Sequence, residues 1–119
     1  MTADASLIHH TATELVKLLQ RGEVSPLDLL DSLEERIAVV EPTVNALPTL
    51  CFDRAREHAK RVMALPLGER GRLAGMPVAI KDLQPVEGVL CTWGSTIYKD
   101  FIPTASDCIV ETVESNNGV

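Results

Sequence analysis

Aromatic residues are scarce in this chain: one Trp, one Tyr and two Phe among 119 residues. A core of ordinary density must therefore be built from Leu, Val, Ile and Ala, and the 45% hydrophobic content is enough for one. Positive charge is also in deficit. With a formal charge of -6 and a pI near 4.9, the chain offers no basic stripe, which argues against a nucleic-acid groove. No apolar run approaches the roughly 18 residues that a membrane-spanning helix needs. The opening "MTADASLIHH" has neither the basic start nor the long apolar segment of a secretory leader. The three cysteines, Cys51, Cys91 and Cys108, are odd in number and form no CxxC pair. That argues against a disulfide or zinc framework, and a reducing cytoplasm is the expected setting.

Helix signals fill the first half. Thr11 and Glu14 have the spacing of a capping box, Leu15, Leu18 and Leu19 follow at helical intervals, and Gly22 supplies a stop. Ser25-Pro26 opens a second helix, with Asp28 in its first turn and Leu30, Leu33, Ile37 and Val40 along one face; Pro42 is expected to end it. "NALPTLCF" reads as short and extended. Asp53 is expected to cap a third helix reaching about Ala64, with Ala55, Ala59, Val62 and Met63 inward. Residues 65–72 read as a loop.

The texture then changes. "MPVAIKDL" is apolar on both faces, which predicts a buried parallel strand. Loop is expected from Pro85 to Ile102, with a helical turn after Gly94. The capping pattern Thr104–Asp107 opens a last helix with Ile109, Val110 and Val113 inward and a stop at Asn117-Gly118. Val119 then reads as the first residue of a second parallel strand, as if the chain were cut there. The expected organisation is one incomplete domain over 1–119. Residues 1–70 form its helical segment, and 71–119 the first part of an α/β core.

Lys81 ends the predicted strand, where ligands bind in open α/β sheets. An amine withdrawn from water there would lose its charge more readily and could act as a base near neutral pH. The bland alternative is a lysine that reaches water or pairs with Asp82. Asp82, on the opposite face of a strand, is as well suited to a structural bond with nearby backbone. His9, His10 and His58 read as surface histidines. Trp93 reads as a core or hinge anchor more readily than as a substrate platform. Arg54, Arg56, Lys60 and Arg61, balanced by Glu57, read as a solvated helix face.

"LAGMPVAIKDL", then "GVLCTWGST", then "DCIVETVESNNGV", resembles the N-terminal part of the amidase signature family. The parts occur in order as Gly75-Met76-Pro77, Lys81-Asp82, Thr92-Trp93-Gly94-Ser95 and Asp107 onwards. The helical opening from Thr11 to Leu47 is also similar to that family's hairpin. The resemblance implies a helical hairpin leading into a mixed, mostly parallel sheet flanked by helices. It also implies hydrolysis of a carboxylic amide by a Ser–cis-Ser–Lys triad, with Lys81 as the catalytic base and a small-molecule amide as substrate. No cofactor or metal is called for. The family's two serines lie in a glycine- and serine-rich segment. Ser6, Ser25, Ser32, Ser95, Ser106 and Ser115 have no such context, so this chain alone is expected to be inactive. Within the family, the A-type component of a glutamyl-tRNA amidotransferase is the alternative; outside it, a non-catalytic remnant that binds a partner. An exposed sheet edge would favour self-association.

Overall fold

The computed structural model describes Asp4 and residues 6–119. Positions 1–3 and 5, and with them part of the leader reading, lie outside the described residues. Among the described residues, four α-helices carry the regular structure: α1 (Ala12–Arg21), α2 (Pro26–Val44), α3 (Phe52–Met63) and α4 (Cys108–Ser115). Short 3-10 turns stand at Leu7–His9, Leu67–Glu69 and Thr96–Tyr98, the last being the turn expected after Gly94.

The first two helices start where local chemistry starts them. Thr11 accepts from the Glu14 N–H at 3.3 Å while Glu14 receives the Thr11 N–H at 2.8 Å. Ser25 and Asp28 repeat the reciprocal pair at 3.2 and 2.8 Å. Each box satisfies two of the donors that a helix start leaves free, worth about 1 kcal/mol per cap. Gly22 ends α1 in the left-handed conformation, φ 70. Pro42 does not end α2, which runs on to Val44 and stops at left-handed Asn45. Proline forfeits the bond its own N–H would make to the carbonyl four residues back, but its fixed φ is helical, so the chain continues in helix and Asn45 N–H still reaches Glu41 O at 2.8 Å. Asp53 lies inside the first turn of α3 rather than at its cap, which is Cys51 without a side-chain bond. The cap of α4 is Asp107, accepting from the Ile109 N–H at 2.9 Å, three residues later than Thr104.

The core is aliphatic, as the aromatic deficit requires. Leu7, Leu15, Leu19, Leu29 and Ala74 form one buried cluster with Leu18, Val24 and Met76 against it. Leu30, Ala59, Val62 and Val110 are also buried, one or two from each of α2, α3 and α4. Leu33 is exposed and Ile37 and Val40 are only partly covered, so the far end of the α2 stripe stays open. Of the α4 residues expected inward, Ile109 instead faces solvent. Arg56 joins α3 to α2 through Asp31 at 2.7 Å and Glu34 at 2.6 Å, and Arg54 joins α3 to α4 through Glu114 at 2.6 Å. Two of the four basic side chains on α3, Arg54 and Arg56, are thus cross-links, while Lys60, paired with Glu57, and Arg61 are exposed as expected of a solvated face.

No strand occurs among the described residues, which overturns the expected parallel sheet. A strand is defined by pairing, and residues 76–83 have little to pair with. Val119 donates to Met76 O at 3.0 Å and accepts from the Val78 N–H at 2.8 Å. Among the described residues, no backbone acceptor serves the N–H groups from Ala79 to Asp82. What holds this region is a strap. Leu73 N–H reaches Asn116 O at 2.9 Å, Gly75 N–H reaches Asn117 O at 2.7 Å, and Gly71 N–H reaches Asn117 Oδ1 at 2.6 Å. Ala74 and Gly75 are both left-handed, φ 52 and 96. A Cβ at Gly75 would stand 2.2 Å from Cγ of Pro26, so the strap packs directly on the start of α2.

Candidate functional site

Between the open end of α2 and the 77–84 segment lies a groove of about 740 Å³. Leu33 and Ile37 of α2, Ile80, Lys81 and Asp82, and Val110 and Val113 of α4 are among the residues that line it. The strap brings Lys81 here. Residues 71–78 are tied to the turn after α4, and Lys81 follows three residues beyond the last of these bonds. The chain then reverses at once: Lys81 O accepts from the N–H groups of Leu83 and Gln84, at 2.7 and 3.0 Å.

Lys81 is exposed. The withdrawal from water expected of a buried strand end is not supplied by the residues around it. Among the described residues its ammonium has no ion-pair partner, so Asp82 does not neutralise it. Asp82 instead accepts from the Thr92 N–H at 2.8 Å and from the Thr92 hydroxyl. These bonds hold its carboxyl below the usual Asp range, so it stays ionised. Its neighbour Cys91 is buried, and burial pushes that thiol up, with the Asp82 charge adding to the effect. Cys51 and Cys108 are exposed free thiols.

Trp93 is an anchor. Its Nε1–H donates to Leu83 O at 3.0 Å, its ring stacks on Phe101 at 5.2 Å, and the edge of Tyr98 meets it at 4.7 Å. Three of the four aromatics therefore serve this one loop. Ser95 accepts from the Ile97 N–H at 3.3 Å and starts a 3-10 turn, in keeping with a structural loop serine.

His58 departs from the surface reading. Its side chain is 12% exposed, and Nδ1 lies 3.9 Å from Glu114 Oε1 with no hydrogen-bond partner among the described residues. Burial lowers its pKa, against the opposing pull of Glu114. Its spacing from Ala55, Ala59 and Val62 on α3 places it beside the inner face, the one signal that could have found it. Thr92 as the partner of Asp82 carried no local signal, since the two are ten residues apart.

The sequence profile of the Amidase family matches residues 28–119, which takes in the groove, Lys81 and all but the first two residues of α2. The chain belongs to the amidase family. It is 38% identical over 105 residues to the A-type component of the glutamyl-tRNA(Gln) amidotransferase of Shouchella clausii, covering 88% of this chain and 22% of that protein. The corresponding protein of Heliobacterium modesticaldum is 38% identical over 111 residues, covering 92% and 23%. A solved chain from work described as "An unexpected vestigial protein complex reveals the evolutionary origins of an s-triazine catabolic enzyme" superposes with a TM-score of 0.87. It shares 26% identity, over 92% of this chain and 25% of that one. The chain thus spans about a fifth to a quarter of the length of the proteins it matches.

Proposed function

We propose that this chain contributes the general base of an amide-bond hydrolase, and that Lys81 is that base. The carrying observation is the family match over residues 28–119. It contains Lys81 in its glycine–proline-led segment, on the wall of an apolar groove. In the proposed reaction a serine relays its proton to neutral Lys81 and activates a second serine. That oxygen bonds to the amide carbonyl, the C–N bond breaks, and the proton leaves with ammonia or an amine. Water then releases the acid from the acyl-enzyme. Neither serine is assigned to this chain. The helical segment 1–70 and the core portion 71–119 act as one unit in this reading, and the setting is the cytoplasm.

A second reading has its own support: the relatives named above are the A-type components of amidotransferases. This chain would then serve an assembly in which ammonia from glutamine passes to a partner protein. Self-association through the uncovered apolar wall belongs to either reading. The experiment is ammonia release from glutamine and from simple carboxamides, by the protein as its gene encodes it, with and without the amidotransferase partner proteins. Lys81→Ala is expected to lower turnover by a factor on the order of a hundred or more. Near-normal turnover in that variant would sink the assignment.

A further inference from the structure

We propose that Asp82 and Thr92 are positioning residues for Lys81: their mutual clamp fixes the peptide that carries the lysine and so sets where its amine stands in the groove. The proposal rests on the reading of Lys81 as the base, and its geometry is independent of that reading. Two motif segments noted in the sequence, Lys81-Asp82 and Thr92–Ser95, are fastened together at two points. Thr92 donates to the Asp82 carboxylate through both N–H and hydroxyl. One residue along on each side, Trp93 Nε1–H donates to Leu83 O at 3.0 Å. Because Lys81 O already accepts from Leu83 and Gln84, the clamp holds a turn that begins on the lysine itself.

The partner turn is an unusual one. Trp93 and Gly94 are both left-handed, φ 49 and 68, and the turn is closed by Ser95 N–H on Thr92 O at 2.9 Å. A bulky residue in that conformation is uncommon and persists only where its surroundings over-determine it. The surroundings do so here. Thr92 Oγ1 receives the Gly94 N–H at 3.1 Å while donating to Asp82, and Phe101 and Tyr98 pack the indole. A turn that only had to reverse the chain at the surface could place glycine at both positions. Asp82 acts here through the backbone and not by pairing with the amine, since its acceptor sites face Thr92.

Thr92→Val keeps the shape and the N–H donor but removes the hydroxyl; Thr92→Ser restores the hydroxyl; Asp82→Asn is a second, independent cut. Each is made in the protein as its gene encodes it, with folding checked by circular dichroism. Two quantities are read: amide turnover, and the ε-methylene NMR signals of Lys81 against those of Lys60 and Lys99. The expected result for Thr92→Val and for Asp82→Asn is a loss of about 10- to 100-fold in kcat with KM changed by no more than about twofold, as for a misplaced reacting group. The Lys81 signals move, those of Lys60 and Lys99 stay, and Thr92→Ser recovers the original behaviour. A folded Thr92→Val protein with unmoved Lys81 signals overturns the proposal, whether or not turnover is measurable. So does a loss that Thr92→Ser shares, or one that falls entirely in KM. An inactive Lys81→Ala protein beside a fully active Thr92→Val protein overturns the clamp alone. An active Lys81→Ala protein overturns the base reading and the clamp's purpose with it.

Discussion

Residues 11–64 and residues 71–119 are held together by different kinds of bond. In the first region the contacts that start the helices are short-range, Thr11 with Glu14 and Ser25 with Asp28, and Arg56 then ties α3 to Asp31 and Glu34 of α2. In the second they are long-range: Gly71 with Asn117, Leu73 with Asn116, Asp82 with Thr92, and Gly88 N–H with Pro103 O at 3.0 Å. A short-range bond can be lost while its neighbours hold. A long-range one closes a loop, and its loss returns to the chain the disorder that closing the loop removed. The helices are thus started locally, whereas the groove is built largely by the irregular segments.

The largest test of this contrast is Gly75→Ala. A Cβ there meets Pro26 at 2.2 Å, in a backbone conformation, φ 96, that alanine adopts only under strain. We expect a loss on the order of 3 kcal/mol or more by urea denaturation, because the clash lies where the strap meets α2. A loss below about 1 kcal/mol would break the comparison. Next comes Ser25→Ala, which removes one cap from the helical region. Its expected cost is about 1 kcal/mol, with fraying confined to the first turn of α2 by amide exchange. Loss of the whole fold would show that the helices depend on their caps as the strap depends on its glycine.

The smallest effect is in pH. His58 has a folded pKa below its unfolded value of about 6.5, so the unfolded chain takes up the proton first. Stability is then full above the unfolded pKa and falls as pH drops toward the folded one. Denaturation midpoints between about pH 7.5 and 5 should decline in the wild type and flatten in His58→Gln. An equal slope in both would assign the pH dependence elsewhere.

What is readable in the sequence follows the same division. The caps at Thr11 and Ser25, the stop at Gly22 and the turn after Gly94 are legible, because each is decided by residues within four positions of one another. Pro42 misleads, since a proline's φ is itself helical and the two residues after it keep the helix going at the cost of one bond. His58 misleads as well: on a charged stretch it looks solvated, yet the packing of α3 encloses it. The apolar "MPVAIKDL" stands out for good reason, but its backbone bonds to distant backbone stop at those of Met76 and Val78 to Val119, and no strand forms among the described residues. Its composition records a preference for burial, while strand structure needs a neighbour whose identity composition does not contain.

By itself the sequence determined the helices, the aliphatic character of the core and the family to which the chain belongs, since these depend on local spacing and on residue order. Only the tertiary structure decided that Lys81 is exposed at a groove, that Asp82 is committed to Thr92, and that the 71–78 segment is strapped to 116–119 without forming a sheet. Those facts rest on contacts between residues that lie well apart along the chain. Hydrogen-bond partners at that range are chosen by how the whole chain closes on itself, not by any pattern within one segment.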